Sequence, residues 1–178
     1  MSTVTSATQT AVAPESLAEL AYCADHLNDL RELLARFGLS VEVVAAGAEI
    51  PGSFWGDSEA GLIKDTLYVR LDTPVHSALH EACHYICMDQ QRRSALHTDA
   101  GGTVLEECGV NYLQILLADH LPSIGRKRLM ADMNRWGYSF RLGTTEAWFA
   151  DDADDARAWL IEAGLIDEAE KVAFCCRQ

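Results

Sequence analysis

Apolar residues at Leu17, Leu20, Ala21, Ala24, Leu27, Leu30, Leu33 and Leu34 follow helical spacing and predict an amphipathic helix over 16–37, stopped by Gly38. Residues 41–46 read as a strand. The stretch 50–61 holds Pro51, Gly52, Gly56 and Gly61 and reads as a turn-rich connection, in which Phe54 and Trp55 line a cleft or pack against the core, with core packing preferred. Leu67, Val69 and Leu71 then alternate with polar positions, the pattern of a half-buried strand over 66–71. Thr73 as N-cap and Pro74 as first helical residue open the next segment. From Val75 to about Met88 no Gly or Pro intervenes, and Val75, Ala78, Leu79, Ala82, Cys83 and Ile86 supply a buried face. Further helices are expected from about 105 to His120, over 126–135, and over 154–163 before Gly164, with a short extended piece at 138–142. The predicted class is α+β, with residues 1–15 a disordered tail and 16–178 one domain.

The helix opened by Pro74 carries the chemistry. It contains His80-Glu81-Ala82-Cys83-His84, in which the two histidines lie one turn apart on one face and can reach a single ion. Glu81 projects beside that face, where a carboxylate can act on a metal-activated water. This is the H-E-x-x-H arrangement of zinc metallohydrolases. His76 extends the ladder by one more turn. Three such histidines span too much helix for one ion, so His76 is expected to face solvent or cap the helix start.

With that motif behind a strand and a tight turn, the chain resembles the zincin superfamily of metallopeptidases, and within it the gluzincin branch. In that branch the third ligand is a Glu on a second helix. The stretch Leu105-Glu106-Glu107-Cys108-Gly109-Val110-Asn111 is similar to the E-x-x-A-N pattern of the small ImmA/IrrE-type zincins, with Val110 in place of Ala. That register implies Glu107 as ligand and Asn111 as a group that orients it. Helical phasing leaves Glu106 as the alternative. With Leu105, Gly109, Tyr112, Leu113 and Leu116 buried, Glu107, Asn111 and Gln114 form a polar stripe. Glu106 then sits at the edge of the apolar arc, where a carboxylate needs a partner. A metzincin site is ruled out, since Cys87 and Gln90 occupy the places of its Gly and third His. His97 and Asp99 are candidate ligands of an all-His or aspzincin-like site that lacks the flanking residues.

The resemblance, over about residues 66–118, implies a small sheet, an active-site helix and a second helix carrying the Glu ligand. It implies Zn2+ held by His80, His84 and Glu107, and Glu81 as general base in hydrolysis of a peptide or protein substrate. The strand near Tyr68 would align that substrate as a sheet edge, and His97, Tyr112 and Tyr138 are candidate oxyanion donors. Two other readings stay open: a metal-bearing regulatory or partner-binding module without peptidase activity, and a packed histidine pair that binds no metal.

Composition narrows the partners. The 178 residues carry a net charge of −13, which argues against nucleic acid, whose phosphates need a basic surface. Asp151-Asp152-Ala153-Asp154-Asp155 suits the start of a solvated helix. No apolar run is long enough to span a membrane and no secretory signal stands at the start, so the expected location is cytoplasmic. The six cysteines, Cys23, Cys83, Cys87, Cys108, Cys175 and Cys176, then read mainly as small hydrophobes. A thiolate site at Cys83 and Cys87 would need further ligands, and Cys175-Cys176 is expected to be exposed.

Overall fold

The 66–71 alternation places its strand at the centre of the architecture. A computed structural model describes residues 19–56 and 58–178. Among them the structure is mixed α+β, with seven helices and one three-stranded sheet. In chain order the elements are α1 (Cys23–Ala35), β1 (Ser40–Val43), β2 (Gly61–Ile63), β3 (Thr66–Val69), α2 (Val75–Cys87), α3 (Gln90–Ser94), α4 (Val104–Ala118), α5 (Gly125–Trp136), α6 (Thr145–Asp151) and α7 (Asp154–Glu162). The sheet order is β1-β3-β2, with β3 parallel to β1 and antiparallel to β2.

Several sequence expectations are corrected here. The first helix begins at Cys23, not at 16, and Leu17 and the tail fall outside the described residues. Residues 21–22 are extended instead. The Ala21 amide donates to the buried Asp132 carboxylate at 2.9 Å, and Tyr22 bridges to Pro74. These long-range bonds satisfy backbone groups that a longer helix would have paired internally. Thr73 does not cap α2. Its hydroxyl accepts from the Arg70 amide at 2.9 Å and closes the turn after β3, while Pro74 stands extended at the N-cap. The 138–142 stretch forms no strand, and α3 and α6 were not anticipated. Both have a local cause: Asp89 and Thr144 side chains accept from Arg92 and Ala147 amides and cap them.

The expected sheet edge at Tyr68 is also absent, because β3 is paired on both sides. The outer side of β2 is closed as well. Leu62 donates to Gly52 O and accepts from Thr98 N, and Lys64 donates to Leu96 O. The chain's own loops therefore fill the edge.

The core lies where α2 packs on α4 and α4 on α7. Leu79, Leu113, Ile115 and Leu117 are fully buried, each contributing about 2 kcal/mol of transfer free energy. Gly109 permits the α4–α7 approach, since a Cβ there would lie 2.6 Å from the Trp159 ring. Among the described residues no helix is long and apolar enough to cross a membrane.

Candidate metal centre

The packing of α2 on α4 brings the two motif segments face to face. His80 and His84 present their Nε2 atoms 3.1 Å apart. Glu107, in the first turn of α4, lies with Oε1 3.3 Å from His80 Nε2 and Oε2 3.3 Å from His84 Nε2. One ligand atom from each of the three falls within 4.8 Å of the others, the one such grouping of metal-ligand side chains among the described residues. Asn111 donates to the Glu107 carbonyl at 3.0 Å and reaches its Oε1 at 3.4 Å, which fixes the carboxylate from one turn below.

Glu106 points elsewhere. It is buried, and both its oxygens accept from Arg92 at 2.8 Å, with Arg177 at 3.4 Å. Arg92 also donates to the carbonyls of Ala100 and Gly101, so the ion pair ties down the loop after α3. The partner that Glu106 needed is thus arginine.

Charge in the triad is shared. Burial pushes His80 down, but the hydrogen bond and charge of Glu107 outweigh it and leave the imidazole above its ordinary value. Glu107 moves the opposite way, below the usual range, because His80 and His84 outweigh its burial. Burial and the neighbouring His80 push His84 down to about 4. Glu81 is buried beside them, and loss of water pushes its carboxyl up to about 7 against the pull of His80, with Glu59 and Glu107 adding to the rise.

These groups open into a cleft of about 490 Å³. Phe54 and Trp55 line it, 56% and 74% exposed, the alternative to the core packing that the sequence favoured. Of the three proposed oxyanion donors only Tyr138 lines it. Tyr112 donates to Glu170, and His97 bonds Thr98 on an exposed loop. Asp99 borders the cleft but joins no ligand group. His76 is buried, contrary to expectation, between Trp136 and Tyr138, with Nδ1 3.4 Å from the Tyr138 hydroxyl.

Three contributors had no sequence signal that singled them out. Glu59, in the turn-rich 50–61 segment, lines the cleft. Trp136, at the end of α5, lines the same cleft beside Glu59. Gln114 was placed on a polar stripe but is fully buried, beside His80 and Tyr138. Among the described residues its Oε1 and the Nδ1 of His80 are buried without a full hydrogen bond, and Gln114 lies near enough to His80 to favour its protonated form. The thiols of Cys83 and Cys87 are buried and held far above the ordinary value by loss of water, so they remain protonated. Cys175 is exposed as expected, whereas Cys176 is half-buried.

No protein-family model, curated protein or solved structure matches the chain.

Proposed function

We propose that this protein is a zinc-dependent hydrolase of the zincin-like, gluzincin-type kind, acting on peptide bonds. The observation that supports it most directly is the convergence of His80, His84 and Glu107 beside Glu81 at the floor of a cleft. The donor set fits zinc: two imidazoles and one carboxylate, with no arginine or lysine pairing Glu107 among the described residues. Three protein ligands leave a position for water or substrate, as in catalytic zinc sites. A bound divalent ion would supply Lewis acidity and a water of lowered pKa.

The chain's own residues do the rest. His80, His84 and Glu107 hold the site, and Asn111 keeps Glu107 turned toward the histidines. Glu81 sits in a dry environment with a proton affinity near neutrality. It takes the proton of the attacking water and delivers it to the leaving amine. Burial keeps the Tyr138 phenol protonated, so its hydroxyl is a neutral donor for the oxygen that gains charge as the carbonyl is attacked. With β3 paired on both sides and the β2 edge filled, substrate backbone is aligned along the 98–101 segment that lines the cleft.

The test is metal content of untagged protein purified without added metal, beside a His80→Ala/His84→Ala variant, followed by peptidase screening. About one zinc per chain, lost in the variant, is expected for a single three-ligand site. Glu81→Gln should retain zinc and lose roughly 10²–10⁴-fold in hydrolysis. Absence of tight zinc uptake would overturn the reading. Stoichiometric zinc without hydrolysis would leave a metal-bearing binding module.

A further inference from the structure

Among the described residues the cleft is lined by Glu59, Glu81, Asp99 and Glu107, and by no lysine or arginine. Glu107 and Glu81 have roles at the centre. Glu59 and Asp99 do not, and a divalent ion would offset only two of the four carboxylate charges. Glu59 is held on a fixed piece of backbone. Its amide donates to Gly56 O at 3.2 Å, and the amide of the buried Ala60 donates to Ser77 on α2 at 3.0 Å. Its carboxylate is half-buried, and its near neighbours are the Trp136 indole, a neutral donor, and the His80 and Glu81 side chains. Glu106, by contrast, is supplied with two arginines. Beside Glu59 the cleft presents aromatic surface. Phe54 and Trp55 meet edge to face at 5.0 Å, and Trp136 is 41% exposed.

A negatively lined cleft with low-dielectric walls concentrates cations, and indole faces attract them further while covering an aliphatic stem. We propose that the cleft selects peptides bearing a positive charge close to the scissile bond, with Glu59 as the specificity-determining carboxylate. The charge is a Lys or Arg side chain or a free α-amino group, which share the same chemistry. Trp55 and Trp136 flank the cation, and Asp99 extends the negative field to the mouth. This inference rests on the hydrolase reading and adds its substrate class.

The experiment uses zinc-loaded full-length protein with randomised peptide pools, N-acetylated or free, and cleavage sites read by mass spectrometry. Lys and Arg near the cut should be favoured at least tenfold over Asp and Glu. Glu59→Gln should lower that ratio about tenfold, Glu59→Lys should reverse it, and Glu42→Gln, an exposed carboxylate on β1, should leave it unchanged. A preference that survives acetylation assigns the charge to a side chain, and one lost on acetylation assigns it to the terminal amine. A second arm measures binding of Lys-containing and Glu-containing peptides to Glu81→Gln protein by tryptophan fluorescence, with circular dichroism and zinc content as controls for each variant. A Glu59-dependent preference for Lys peptides in this arm supports the proposal even if zinc or hydrolysis is absent, in which case only the hydrolase reading fails. Cleavage or binding with no charge preference, or a preference untouched by Glu59→Gln, overturns the proposal and leaves the metal centre standing.

Discussion

Two adjacent glutamates in the first turn of α4 meet opposite surroundings. Glu106 is enclosed by the guanidiniums of Arg92 and Arg177, and Arg177 in turn reaches the Cys87 carbonyl. That side of the helix is electrically closed and fastens the C-terminal segment to α2, through Arg177 N to Ile86 O. Glu107, one residue on, meets only imidazoles and an amide. Its counter-charge is a proton that can leave, which is what exchange for a metal ion would require. The contrast teaches that a carboxylate in one helical turn is tied down or left exchangeable according to whether its partner is permanent. Helical rotation of one residue decides which partner each meets.

The largest effect should break the Glu107 side. Glu107→Gln or His84→Ala is expected to lower zinc affinity roughly a thousandfold, about one-third of a total binding energy of order 12 kcal/mol. Competition titration against a chelator reads it. Glu106→Gln should change zinc affinity less than tenfold yet cost about 3 kcal/mol of stability in urea denaturation. That is the lower end for breaking a buried pair, because both arginines keep about a third of their side chains in water. If the two variants exchanged phenotypes, the division between structural and exchangeable carboxylate would be wrong.

The same contrast recurs on α2. His80 has Glu107 beside it and is raised, whereas His76, one turn earlier and without a carboxylate partner, is pushed down to about 3 by burial and by the charge of His80. The unfolded chain therefore binds the His76 proton below about pH 6.5 and the folded chain does not. Stability should fall by about 1.4 kcal/mol per pH unit from there toward pH 3. Between pH 7 and pH 5, His76→Gln should lose about 2 kcal/mol less than the parent protein. An equal loss in both would remove His76 from the account. The smallest effect concerns thiols. Alkylation at pH 8 should modify Cys175 rapidly and spare Cys23, which burial pushes up to about 12, along with Cys83 and Cys87. Rapid labelling of Cys83 in folded protein would show that the α2–α4 packing opens.

What the sequence determined by itself is local. The i, i+4 spacing of His80 and His84 places them on one face as soon as Val75–Cys87 is helical, and the apolar periodicity of 75–88 and 105–120 makes both segments helical and buried. The strand at Leu67 and Val69 and the helix stop at Gly164 were legible for the same reason. What tertiary structure decided is every relation between distant segments. Phasing within α4 could not choose between Glu106 and Glu107, because the choice depends on arginines 14 residues before and 71 residues after Glu106. The edge of β2 is filled by residues 52 and 96–98, which no alternation pattern records. His76 is buried and Trp55 exposed because of where α5 and the 50–61 loop come to rest. Periodicity reports that a face is covered. Only the packed structure supplies the covering side chains, and they set the charge of every group in the site.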